Sequence, residues 1–269
     1  MIKSLLPEDW HKIIISVEKH DKINDIYFPI GTGFLIGYKG FTVFVTAKHI
    51  AEIMDKNEDI YLAWNANDSS IIRKNFENLK NDSEWIFHEN SQIDIAVRFF
   101  KLYSESDDVR VLAENLFESF EDVMEGDDIL FLGFPLHISE PNKIHPVVRS
   151  GIIAYRKENK NFLIDANVFP GSSGSPVFLK TSAITYEKGN FNLGKVRIPK
   201  LVGIIIEALL YDDIAISQQT KRHVVTFSEN AGFGVVLSVD LINDILESQN
   251  FQMLFEKIKK IDAEINKDK

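Results

Sequence analysis

Phe169-Pro170-Gly171-Ser172-Ser173-Gly174-Ser175-Pro176 lies between two strand-like runs, Phe162 to Asp165 and Ser175 to Lys180. Glycines at 171 and 174 bracket two serines, the composition of a tight turn. Such a turn pushes a hydroxyl clear of the backbone and leaves neighbouring amide N–H groups converging beside it. Those two features are the nucleophile and the oxyanion donors of acyl transfer. Clusters of Gly, Ser and Pro are turn chemistry first, so a catalytic reading of Ser173 needs a base and a carboxylate elsewhere in the chain.

Of the seven histidines, His49 has the most telling setting. It follows the apolar strand Phe41 to Thr46 within Val45-Thr46-Ala47-Lys48-His49, where a short helix, Ala47 to Met54, begins. An imidazole at a strand–helix junction is fixed in orientation and still faces a cleft. A triad also needs a carboxylate to set the imidazole tautomer and stabilise the imidazolium. Asp94, in Ile93-Asp94-Ile95-Ala96-Val97, abuts an apolar run, and a carboxylate there costs free energy unless it is hydrogen-bonded. Taken singly, His49 reads as a structural residue and Asp94 equally as a strand-entry cap. Together they stand in the order His49, Asp94, Ser173, with the first two in one β-rich group and the third in another. Catalysis would lie in the cleft between the groups.

The rest of the chain fits that frame. Its 269 residues, 45% apolar and 26% charged, suffice for a sizeable core. A net charge of -10 argues against nucleic-acid binding, which needs clustered cations. There is no cysteine, which excludes disulfides, thiolate nucleophiles and Cys-based metal sites. No signal-like or membrane-spanning apolar run is present, so a cytoplasmic location without membrane association is expected. Lys12 to Val17, Tyr27 to Gly37 and Phe41 to Thr46 read as strands, with residues 18–26 a turn and Gly40 in a hairpin. Ile60 to Ala63, Glu84 to Phe87 and Asp94 to Lys101 follow, and residues 65–83 read as a surface loop. After a connector, strands resume at Ile129 to Phe134, Val147 to Arg156, Phe162 to Asp165, Ser175 to Lys180 and Pro199 to Glu207. Loops are expected at 181–198 and 209–231. Apolar spacing from Val239 through Ile258 predicts a C-terminal helix. The expected architecture is all-β, with a first barrel over 12–101, a connector over 102–126, a second barrel over 127–239 and a helix over 240–265.

In these landmarks the chain resembles the trypsin-like, chymotrypsin-fold serine proteases. The resemblance rests on Gly31-Thr32-Gly33-Phe34-Leu35-Ile36, Val45 to His49, Asp94 to Val97, Gly126-Asp127, Leu132-Gly133-Phe134-Pro135, Asp165 to Pro176, Leu201 to Ile204 and Gly232 to Val235. The run into the nucleophile is most similar to HtrA/Deg-like bacterial branches, though no PDZ-like domain follows. The resemblance implies two packed antiparallel six-stranded barrels, with Ser173 as nucleophile, His49 as general base and Asp94 as its orienting partner. It also implies an oxyanion hole from the backbone N–H groups of Gly171 and Ser173. The implied primary pocket is lined by Asn167, Val168, Ile206, Glu207, Ala208 and residues near Gly232. Neutral Asn167 at its base argues against a strict demand for Lys or Arg. No cofactor or metal is implied.

Three departures stand out. Relatives activated by cleavage pair a new N-terminus with an Asp just before the nucleophile, and this chain has Ser172. Ser175 replaces a common second glycine. Ile206 stands where digestive relatives carry a Ser that bonds the catalytic Asp, so Asp94 must rely on backbone N–H groups and His49. The loop 209–231, with Arg222 and His223, is expected to overhang the cleft as a gate or partner-binding element. The expected function is a serine endopeptidase acting on protein or peptide, held in check by a regulatory protein partner or effector. The second reading is a catalytically inactive binding module with its cleft plugged by that loop. Gly189-Asn190-Phe191-Asn192-Leu193-Gly194-Lys195-Val196 imitates a phosphate-binding loop but has Val196 where Ser or Thr should stand. His137 and His145 lack a third ligand at metal spacing.

Overall fold

The computed structural model describes residues 9–101, 106–138, 140, 142–187 and 190–265. The N-terminal half consists of β1 (Ile14–Asp21), β2 (Ile26–Tyr38), β3 (Phe41–Thr46), α1 (Lys48–Lys56), β4 (Ile60–Asn65), β5 (Ile71–Asn75), β6 (Ile86–Phe87) and β7 (Ala96–Phe99). These strands form one antiparallel sheet in the order β5-β4-β1-β2-β3-β7-β6. The first group therefore counts seven strands rather than six. β5 lies in the stretch expected to be loop. Its residues pair with β4 from Tyr61↔Asn75 to Asn65↔Ile71. The Asn75 side chain then accepts the Glu77 N–H at the start of a 3-10 turn that buries Phe76. The expected turn over 18–26 is shorter too, because β1 continues to Asp21.

The second half contains β8 (Asp128–Gly133), β9 (Val147–Lys157), β10 (Asn161–Asp165), β11 (Pro176–Leu179), β12 (Ser182–Glu187), β13 (Asn190–Arg197), β14 (Leu201–Ile216) and β15 (His223–Ser238). Six of them close a barrel in the order β10-β15-β14-β11-β8-β9, while β12 and β13, among the described residues, form a separate two-stranded sheet. Neither long loop of the sequence reading is a loop. Residues 182–187 and 190–197 are the paired strands β12 and β13, and 209–231 lie mostly in extensions of β14 and β15 that pair out to Ile216↔His223.

Alternation along the strands explains how the halves join. On β2, Phe34 and Ile36 face one apolar cluster and Leu35 another; on β3, Val43 and Val45 oppose Phe44 in the same way. This two-residue period buries both faces of the sheet. The Phe34 side of it packs against Leu130, Leu132, Phe178 and Ile204 of the barrel. The barrel's own interior holds Phe131, Phe162, Ile164, Val177 and Val236. The C-terminal segment is two helices, α2 (Val239–Glu247) and α3 (Gln249–Ile265), separated by extended Ser248. Phe251 and Phe255 of α3 meet the ring of Tyr38 edge-on, so the helices clamp onto the first sheet. A shared apolar layer thus fixes the two halves against each other, and with them the residues at their junction.

Candidate active site

Ser173 follows a tight turn in which the Ser172 N–H donates to the Phe169 carbonyl at 2.9 Å. Pro170 and Gly171 occupy the middle of this turn, and Gly171 has φ +93. That is the type II pattern, which favours proline second and demands a left-handed residue third. Glycine is required here for space as well. A Cβ on Gly171 would lie 2.1 Å from the Phe134 carbonyl oxygen, and one on Gly174 would lie 1.8 Å from that of Thr32. The N–H groups of Gly171 and Ser173 make no hydrogen bond among the described residues. Two unspent donors beside the Ser173 hydroxyl are what an oxyanion requires.

Thr32 on β2 holds this turn from the other half of the molecule. Its N–H donates to the Ser173 carbonyl at 2.8 Å, and its hydroxyl donates to the Gly171 carbonyl at 2.8 Å. That hydroxyl also accepts the Phe134 N–H at 3.3 Å, and the Thr32 carbonyl accepts the Thr46 hydroxyl at 2.7 Å. Thr32, Thr46, Phe134 and Gly171 are all buried, where an unmade bond is expensive. In the sequence Thr32 stands only as part of the Gly31-Thr32-Gly33 landmark, with no local sign of a role. The signal available was a hydroxyl residue between Gly31 and Gly33.

Thr46 ends β3, and His49 lies in the first turn of α1 directly beyond it. Asp94 stands two residues before β7 rather than within a strand. Its carboxylate accepts the His49 backbone N–H at 2.9 Å and pairs with His49 Nδ1 at 2.6 Å. The Asp94 carbonyl in turn accepts the Lys48 N–H at 3.3 Å. A carboxylate that only accepts places the proton on Nδ1 and leaves Nε2 with its lone pair, the tautomer a general base needs. The expected support of Asp94 by backbone N–H and imidazole is what the geometry contains.

The Ser173 hydroxyl donates to the carbonyl of Ile206 on β14 at 3.3 Å, so it rests on that strand and not on His49. The pocket residues divide. Asn167 and Glu207 are exposed, Ala208 and Ile206 are half-buried, and the Val168 side chain is buried in the barrel core. Val168 contributes its carbonyl instead, which accepts the Asn230 amide. Asn167 Oδ1 comes within 3.7 Å of where a Cβ on Gly232 would stand, which brings the proposed base and rim of the pocket together. Of the phosphate-loop imitation, Gly189 lies outside the described residues, and the rest falls on β13 where a helix should follow. His137 Nδ1 donates to the Pro29 carbonyl, while the His145 ring stacks on His11. The two histidines thus have separate packing roles.

The family model described as a trypsin-like peptidase domain matches residues 31–184, more than half of the chain. The chain belongs to the trypsin-like peptidase family. The matched span of this trypsin-like peptidase contains His49, Asp94 and Ser173, and it ends before β14 and β15. No curated protein matches the chain. Among solved structures, the serine endoprotease from Yersinia pestis aligns with a TM-score of 0.49 and 18% identity, over 88% of this chain and 62% of that one. The chain therefore spans under two thirds of that protein's length.

Proposed function

We propose that this trypsin-like peptidase is a serine endopeptidase in which Ser173, His49 and Asp94 form the catalytic triad. The observation that carries the reading is the doubly bonded His49–Asp94 pair, set on the half of the molecule that Thr32 stitches to the Ser173 turn. In the proposed reaction the Ser173 hydroxyl leaves the Ile206 carbonyl and gives its proton to His49 Nε2 as Oγ bonds to the substrate carbonyl carbon. The resulting oxyanion takes the N–H groups of Gly171 and Ser173. His49 returns the proton to the departing amine, whose C–N bond breaks. Water, deprotonated by the same imidazole, then releases the acyl group and restores Ser173.

Labelling with a fluorophosphonate probe tests the assignment. Wild-type protein should be labelled and Ser173→Ala should not, with His49→Ala losing most of the rate. A wild-type chain that stays unlabelled with and without candidate activators would refute it. The resting place of the Ser173 hydroxyl on Ile206 supports regulation by a protein partner or effector that frees the nucleophile. Rapid cleavage of generic peptides by the purified protein alone would count against that regulation.

A further inference from the structure

Asp94 belongs to no strand. It ends the segment 88–94, which lies between β6 and β7, and something outside the segment must hold its carboxylate beside His49. The bonds within the segment fix only its shape. His88 Nδ1 accepts the Asn90 N–H, the Asn90 side chain accepts the Gln92 N–H, and the Asn90 carbonyl accepts the Ile93 N–H, each at 3.0 Å. Apart from His49 itself, the tie to α1 is Lys48. Its N–H donates to the Asp94 carbonyl at 3.3 Å, and its ammonium donates to the Ser91 carbonyl at 3.1 Å. The same ammonium lies 5.7 Å from the centre of the Phe87 ring. Lys48 thus touches the last residue of β6, the middle of the segment and its end. Among the described residues, no side chain of α1 other than those of Lys48 and His49 bonds residues 88–94.

We propose that Lys48 is a positioning residue of the triad: its ammonium straps the 88–94 segment to the first turn of α1 and so sets the direction of the Asp94 carboxylate. The inference rests on the endopeptidase reading and adds a residue to it. A lysine in the first turn gains nothing from the helix, whose N-terminal end attracts anions and repels cations. α1 also starts without a capping side chain, since Ala47 stands at its N-cap. Asp94 fills that part from outside by accepting the His49 N–H at 2.9 Å. One carboxylate therefore caps the helix and orients the imidazole, and both tasks fail together if the segment drifts. A bond from a cation to a carbonyl is stronger than a neutral one. Here it holds Ser91, three residues upstream of Asp94, so Lys48 acts on the carboxylate through the chain that carries it. Misplacing a reacting group by about 1 Å can cost about 100-fold in rate. The Lys48–Ser91 bond is exposed, so its loss loosens the segment without freeing it, and a fall of about tenfold is expected.

Lys48→Met, made in the full chain, keeps the unbranched apolar stem and removes the donor, whereas Lys48→Arg restores a charged donor. A strongly downfield imidazole N–H proton in the NMR spectrum, absent in Asp94→Asn, reports the 2.6 Å His49–Asp94 bond whether or not the protein turns over. It should move upfield or broaden in Lys48→Met and return in Lys48→Arg, with thermal unfolding showing both variants folded. An unchanged resonance in Lys48→Met, or none in the wild type, would overturn the proposal. Kinetics gives a second readout. Fluorophosphonate labelling and the kcat for a short peptide ester should fall about tenfold in Lys48→Met with KM little changed, and Lys48→Arg should regain most of the rate. In an Asp94→Asn background the same substitution should cost nothing further, because its effect passes through that carboxylate. An undiminished rate in Lys48→Met, or a full additional loss in the Asp94→Asn background, would refute the positioning role. The two readings fail separately. A wild-type chain that is never labelled, but whose imidazole resonance depends on Lys48, defeats the peptidase and keeps the strap. Labelling with a resonance indifferent to Lys48 defeats only the strap.

Discussion

Thr32→Val is the substitution that most directly separates a structural residue from one that shapes the oxyanion hole. Valine keeps the shape and β-propensity of threonine and preserves the backbone bond to the Ser173 carbonyl, but it removes one hydroxyl. The Gly171 carbonyl loses its 2.8 Å donor and the Phe134 N–H loses its 3.3 Å acceptor. Both are buried, and an unsatisfied buried group costs about 1–3 kcal/mol. The Phe134 bond is long and sits at the low end, so a total destabilisation of about 2–4 kcal/mol is expected. The catalytic effect is separate. The Gly171 carbonyl belongs to the same residue whose N–H should face the oxyanion, and releasing it lets that turn pivot. Complete loss of one such donor costs about 10²–10³ in kcat, so partial misalignment should cost about 10–100-fold with KM little changed. The assay is turnover of a short peptide ester alongside thermal unfolding, with Thr32→Ser as control because serine retains the hydroxyl. Wild-type kcat in a destabilised but folded Thr32→Val would refute the positioning argument and leave Thr32 a packing residue. An equal loss of kcat in Thr32→Ser would refute it too.

Other expectations follow from the same contacts. Gly174→Ala forces a Cβ into the Thr32 carbonyl at a residue with φ +88. Overpacking plus left-handed strain should cost about 3 kcal/mol or more in urea unfolding, and a loss below about 1 kcal/mol would contradict the packing. Glu18 is buried against Arg73, whose Nε donates to it at 2.7 Å, and burial outweighs that pairing to hold its carboxyl above the usual range. The folded state then binds this proton more tightly than the unfolded chain. Its contribution is full below the ordinary glutamate value and drains as pH rises through the raised one. Denaturant unfolding should accordingly show Glu18→Gln gaining on wild type with rising pH, and a constant difference would refute the sign. His11 behaves in the opposite sense: burial first, then His145 and Lys143, lower its pKa. Stability from this group is present above the ordinary imidazole range and is lost as pH falls through it. His11→Gln should flatten that acid-side loss, and an unchanged profile would show that His11 does not cause it.

How much of this was legible depended on the range of the interaction that decides each element. The Ser173 turn announced itself because its glycines, proline and serines act within a few residues of one another. His49 was legible for the same reason, as an apolar strand running straight into a helix. Asp94 was readable only as a polar residue at the mouth of an apolar run, and its position just ahead of β7 lets the carboxylate meet both His49 donors. The β14–β15 extension was misread as a loop because no core demands its residues. Asp212 and Asp213 interrupt the alternation of Leu210, Ile214 and Ile216, and neither face of a freely projecting ribbon has to be apolar. The 65–83 stretch failed in another way, since its polar composition hid a strand edge and the cap at Asn75. The break at Ser248 was invisible because apolar spacing continues across it through Phe251. Thr32 was beyond any local pattern, because its hydroxyl closes on a carbonyl 139 residues away.

That long-range bond bears on how the site is kept in shape without a cleavage-dependent ion pair. The residue before the nucleophile is Ser172, 1% exposed, and its hydroxyl has no partner among the described residues. A serine there supplies no charge to draw in a new N-terminus, so the turn has to be braced by other means. Four bonds brace it: the Phe169–Ser172 turn bond, the Thr32 hydroxyl on Gly171, the Thr32 N–H on the Ser173 carbonyl, and the Leu136 N–H on the Pro170 carbonyl at 2.8 Å. All four hold carbonyls, and none consumes the N–H of Gly171 or Ser173. The N–H groups that we propose face the oxyanion are thus left unused by contacts that hold the turn. The Ser173 hydroxyl points at the Ile206 carbonyl. A rotation about one side-chain bond is a small barrier on the scale of chain cleavage or refolding. Under the regulation proposed above, a protein partner or effector would release the nucleophile by displacing its hydroxyl from the Ile206 carbonyl.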